Sequence, residues 1–148
     1  VNDEELMAGI RETFEVLDPV PPAVLAAARA SIAWRAPSAR LAELAQDQDG
    51  QPAGVRGGRT RTLTFTCPAA TVEIEVSPDG RYREVHGRLD PAAPALVEVR
   101  HRDLPPGGAT ARTDPAGMFW LPRVPSGLVS LILRLDDGTS IVTSWIRL

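Results

Sequence analysis

Few side chains in this 148-residue chain are suited to chemistry, and they can be taken one at a time. There is one cysteine, Cys67, one tyrosine, Tyr82, and two histidines, His86 and His101. All 16 positively charged residues are arginines, so any reaction needing an amine side chain, such as a Schiff base, is excluded. The histidines could share a face if their strands were adjacent. Two imidazoles without a carboxylate or cysteine pattern still fall short of a zinc set. Cys67 follows Leu63 and Phe65 at a spacing of two, the apolar phase of a strand, which reads as a buried structural thiol. A lone cysteine also makes no intramolecular disulfide. Ser126 lies in a Pro-Ser-Gly turn and not in a Gly-x-Ser-x-Gly elbow, so a serine hydrolase has no anchor. Glu73 and Glu75 share one strand face, but wet-face carboxylates usually serve solvation. The inventory points to a protein that is not an enzyme, with no cofactor and no metal.

The elements that would carry these residues fall into two halves. Asn2 is a good N-cap with Glu5 three residues on, the spacing of a capping box. Leu6, Ile10, Phe14 and Leu17 then make one apolar stripe, which predicts a helix over residues 3–17. Asp18-Pro19-Val20-Pro21-Pro22 ends it. A second helix begins near Pro22 or Ala23 and runs through Val24, Leu25, Ala28, Ile32 and Trp34 to Arg35. Ala36-Pro37 breaks that helix, and a short third one is expected around Leu41, Leu44 and Ala45. The domain reading is a helical segment over 1–47, a polar, glycine-containing linker over 48–58 and a β-domain over 59–148.

Beyond Arg59 the hydrophobic period drops to two. Val72, Ile74 and Val76 alternate with glutamates, and Ser77-Pro78-Asp79-Gly80 suits a hairpin turn. Strands are expected at 82–89, 95–101, 109–113, 118–121, 128–135 and 140–148, separated by Gly- and Pro-rich turns. The fold class is α+β, an N-terminal helical segment followed by an antiparallel β-sandwich. Trp120 and Trp145 are ambiguous: one could fill the core while the other is exposed.

The formal charge of −3 is unevenly spread, with −5 over residues 1–18, zero over 19–50 and +2 over 51–148. No clustered basic face marks a nucleic-acid binder. An acidic N-terminus without an apolar run does not read as a signal peptide, and no stretch approaches a membrane span. The expected location is cytoplasmic.

From Val85 onward the chain resembles the carboxypeptidase-regulatory-like (prealbumin-like) domain. The resemblance rests on the glycine-bearing strand Val85-His86-Gly87-Arg88-Leu89 and the apolar strand Leu96-Val97-Glu98-Val99. It continues in Thr113-Asp114-Pro115-Ala116-Gly117-Met118-Phe119 and in Val124-Pro125-Ser126-Gly127 leading into Leu128–Leu135. It implies a prealbumin-like sandwich, a scaffold more often than a catalyst. Over most of its length the chain is also similar to a group of short actinobacterial proteins. They share Asp18 to Pro22, the alanine-rich helix ending in Trp34-Arg35, Leu41-Ala42-Glu43-Leu44 and the final Thr143-Ser144-Trp145-Ile146-Arg147-Leu148. That likeness implies a regulatory protein of the kind encoded beside extracytoplasmic-function sigma factors.

The leading expectation is a non-enzymatic adaptor. Its partner-binding surface would be Leu6, Ile10 and Phe14 on the first helix with Val24, Leu25, Ala28, Ile32, Trp34 and Arg35 on the second. The implied partner is a protein, a sigma factor among the candidates, with no direct contact to nucleic acid or membrane. Two alternatives stand beside it: a ligand binder or enzyme with a pocket between helices and sheet, and a module that forms homodimers through its sheet edges.

Overall fold

The computed structural model describes residues 2–52 and 59–148. It divides into two units, Val1–Arg35 and Ala36–Leu148. The first contains α1 (Asp3–Leu17), α2 (Pro22–Ala30) and a 3-10 turn, Ser31–Trp34. Asn2 caps α1 as expected: its side chain accepts from the Glu5 amide at 2.8 Å, and the Glu5 carboxylate accepts from the Asn2 amide at 3.3 Å. Three acids in the first turn, Asp3, Glu4 and Glu5, sit at the positive end of the helix dipole. Pro22 opens α2, where its missing amide costs nothing. No described helix is by itself long and apolar enough to cross a membrane.

The second unit is a mixed sheet of ten strands among the described residues. They are β1 (Arg40–Pro52), β2 (Arg59–Cys67), β3 (Ala70–Asp79), β4 (Tyr82–Asp90) and β5 (Ala95–Arg100), then β6 (Thr110–Arg112), β7 (Met118–Pro125), β8 (Leu128–Leu135), β9 (Ser140–Thr143) and β10 (Ile146–Arg147). Their order is β6-β5-β8-β9-β1-β2-β3-β4-β7, with β10 paired to β8. The end strands β6 and β7 also touch, so the sheet curls nearly into a barrel. Alternating residues fill its inside: Leu63 and Phe65 from β2, Val72, Ile74 and Val76 from β3, Val85 and Leu89 from β4, and Phe119 and Leu121 from β7. The α+β class and the helices-then-strands order therefore stand.

Three expectations need correction. The short helix expected at Leu41, Leu44 and Ala45 is part of β1, and so are residues 48–52 of the expected linker; residues 53–58 lie outside the described ones. Leu-Ala-Glu-Leu favours helix, but here long-range pairing overrides that local preference. Ala42 is fully buried, and β1 pairs antiparallel with β2 and parallel with β9. Ser144 clips the junction, its amide donating to the Ala42 carbonyl and its hydroxyl accepting from the Leu44 amide. The β1–β9 pairing also makes the sheet mixed, where a purely antiparallel one was expected. Lastly, neither Trp120 nor Trp145 fills the core: both are exposed.

The turn that carries the family resemblance is built as its residue types suggest. One Asp114 carboxylate oxygen accepts from the amides of Ala116 and Met118. Gly117 takes φ +79°, and a side chain there would collide with the Leu89 carbonyl oxygen. Thr113 ties the turn to β5, accepting from the Ala95 amide at 2.8 Å and donating to the Ala93 carbonyl at 2.7 Å.

Candidate functional site

The helical unit buries none of its described residues by its own packing. The proline break sets α1 and the segment that begins with α2 at a bend of 112°. Leu6, Ile10 and Phe14 are exposed on α1, and Val24, Leu25, Ala28 and Ile32 are exposed on α2 and the turn after it. Trp34 is half-buried and Arg35 exposed.

Ile10 and Phe14 form a ridge between two grooves. One, of about 450 Å³, lies where α1 meets the break and α2, and adds Pro19, Val20 and Leu25. Its rim carries Arg11, Glu15 and Asp18. The other, of about 430 Å³, runs along α1 past Glu5, Leu6, Gly9 and Thr13. Of the nine expected binding residues, Leu6, Ile10, Phe14 and Leu25 thus line the grooves. Val24, Ala28, Ile32, Trp34 and Arg35 do not. Val20 was missed by periodicity, because a residue between prolines belongs to no helical stripe. Its signal was only its apolar side chain in a segment that otherwise turns.

Apolar floors whose rims carry three acids and one arginine suit a partner that offers aliphatic or aromatic side chains beside mainly basic ones. They hold no nucleophile–base pair and no converging acids. Among the described residues no group of three or more His, Cys, Asp and Glu could hold a metal.

The β-unit has its own exposed cluster. His86 and Trp120 face each other across the β4–β7 pairing, their rings stacked with centroids 6.1 Å apart. Glu84 joins them, accepting from the Trp120 indole at 2.8 Å and lying 3.2 Å from His86 Nε2. Glu84 was not singled out from the sequence; its meeting with His86 and Trp120 depends on a register that no local pattern states. Glu73 and Glu75 lie exposed on β3, as expected of a wet face.

The two histidines do not meet, since β4 and β5 are not neighbours in the sheet. His101, just after β5, is buried at 2% exposure and fully engaged. Its Nδ1 accepts from the Asp103 amide at 3.0 Å, which leaves Nε2 to donate to the Ser126 carbonyl at 3.2 Å. It is a clamp between loops and offers no face to a ligand. Cys67 is half-buried against the core, in keeping with a structural thiol.

Two charged groups show shifted acidities beside this core. Glu98 is pushed up by burial, but hydrogen bonds from Arg134 and the Gly107 amide outweigh that and hold it below the ordinary carboxylate range. Burial lowers Arg100, whose guanidinium lies 5.4 Å from the Trp145 ring centroid. With those two bonds Glu98 ties β5 to β8 and to the loop at Gly107. Compared with known proteins, the chain matches no family model, no curated protein and no solved structure.

Proposed function

We propose that this chain is a non-enzymatic, cytoplasmic regulatory adaptor whose helical unit binds a protein partner while the β-unit serves as platform. The observation that carries this reading is the Ile10–Phe14 ridge with an apolar groove on either side, one bordered by Glu15, Asp18 and Arg11 and the other by Glu5. Burying one exposed aliphatic or aromatic side chain is worth about 1.5–3 kcal/mol, so leaving the whole set to water needs an occupant to explain it. The acidic α1 disfavours a second copy of itself and an anionic membrane, and favours a partner with basic residues flanking an apolar helix. A sigma factor is the partner the family resemblance implies. The prealbumin-like sandwich belongs to the same proposal, supported by the Thr113–Phe119 turn and by Gly87 facing Phe119. Edge-to-edge dimerisation has less support, because β6 and β7 lie against each other.

The test uses the full chain carrying Ile10→Asp with Phe14→Asp. The unaltered protein should capture a purified extracytoplasmic-function sigma factor, and the double variant should lose it while the urea transition of the β-unit is unchanged. Equal capture by both overturns the reading. So does sedimentation showing that the unaltered chain dimerises through the same two residues.

A further inference from the structure

The core-facing phase of β2 and β4 changes chemistry towards one end of the sheet. On β2, the positions of Leu63 and Phe65 continue as Arg61 and then Arg59; on β4, the positions of Val85 and Leu89 continue as Arg83. Between them β3 offers Val76, paired with Arg61, and Pro78, paired with Arg83. Arg59, two residues beyond Arg61, comes level with Pro78. Arg59 and Arg83 therefore flank Pro78 from its two neighbouring strands, about 10 Å apart at Cα by strand spacing. A pocket of about 250 Å³ opens there, with Arg59, Arg61, Arg83 and Asp49 on its walls and Val76, Pro78 and Leu148 beneath.

The three guanidiniums are not equally committed. Arg61 forms a two-pronged pair with Asp47, at 2.8 and 2.7 Å, and donates to the Arg147 carbonyl at 2.6 Å. Arg83 donates one bond to the Tyr82 carbonyl at 2.9 Å. Among the described residues, neither Arg59 nor Arg83 forms an ion pair. Arg59 is exposed and Arg83 half-buried; with Arg61 committed to Asp47, Asp49 is the acid that stands with these two cations on the pocket wall.

We propose that this pocket binds a phosphate group, held between Arg59 and Arg83, with Arg61, already paired to Asp47, beside them on the wall. Guanidinium forks match oxyanions through paired N–H bonds. Two forks approaching from opposite strands suit a tetrahedral anion, whose oxygens point in several directions. A planar carboxylate presents both oxygens along one edge. The volume admits the phosphate and a small attached group, and is too small for a nucleotide. Asp49 opposes the anion and limits affinity.

The test titrates the full chain with inorganic phosphate and with glycerol phosphate by calorimetry, at constant ionic strength set with chloride. Saturable binding is expected. It should weaken about tenfold in Arg59→Gln and in Arg83→Gln and tighten in Asp49→Asn. Arg112→Gln, exposed on β6 and paired with Asp136 outside this pocket, should bind as the unaltered chain. Thermal unfolding of each variant checks that the fold is intact. Tighter binding of the ester supports the site and identifies a phosphorylated small molecule as its ligand; equal binding supports it and identifies free phosphate. The proposal is overturned by non-saturable binding, by acetate competing as well as phosphate, or by folded Arg59 and Arg83 variants that bind undiminished.

Discussion

Gly87 and Phe119 face each other across the β4–β7 pairing, and the phenyl ring lies over the glycine. A Cβ built on Gly87 would lie far inside van der Waals contact with the ring's Cζ and both of its Cε atoms. Phe119 is only 4% exposed, and β4 is held by β3 on one side and β7 on the other. Neither ring nor strand can easily give way. Gly87→Ala should therefore lie at the upper end of overpacking costs, about 3 kcal/mol. The reduced entropy of the unfolded chain returns about 0.4–1 kcal/mol, so the expected net destabilisation is about 2–3 kcal/mol. Phe119→Ala alone should cost about 3–5 kcal/mol through the cavity it leaves. In the double variant the added methyl enters that cavity. Gly87→Ala should then cost nothing in the Phe119→Ala background, giving a coupling of about −2 to −3 kcal/mol. Urea unfolding followed by tryptophan fluorescence measures all four corners of the cycle. The reasoning is refuted if Gly87→Ala costs less than about 1 kcal/mol, or if the two substitutions simply add.

Two further outcomes follow from the same geometry. The Arg61 hydrogen bonds hold Asp47 below its ordinary value of 3.8, so the folded state binds its proton later than the unfolded chain. The stability this contributes is complete above the unfolded value and is lost as pH falls through the folded one; the pair is partly solvated, which limits it to about 1 kcal/mol. Unfolding of Asp47→Asn and the unaltered chain should therefore converge between about pH 4 and pH 2, and a gap that persists there contradicts the assignment. Asn2→Ala removes the acceptor for the Glu5 amide and should cost α1 about 1 kcal/mol, seen as a loss of helical circular dichroism with the β-unit's transition unchanged.

Much of this protein was legible from local pattern. Asn2 with Glu5 and the proline run marked the bounds of α1, because a cap and a missing amide act within a few residues. Alternation marked the strands from Arg59 onward, since a half-wet sheet writes its two faces at a period of two. The apolar helical stripe was legible too, but not which of its members would border a groove. Residues 40–52 were misread because Leu-Ala-Glu-Leu prefers helix, and the preference is reversed only by β2 and by Ile141–Thr143 of β9, about a hundred residues away. The meeting of Glu84, His86 and Trp120, and of Arg59, Arg61 and Arg83, likewise depends on strand register. A register is decided by which faces can be buried together once every strand is present. The absence of lysine was settled by the sequence alone. That Arg59, Arg61 and Arg83 gather was decided only by tertiary structure, because charge of one sign is concentrated by strands that adjoin in space and not along the chain.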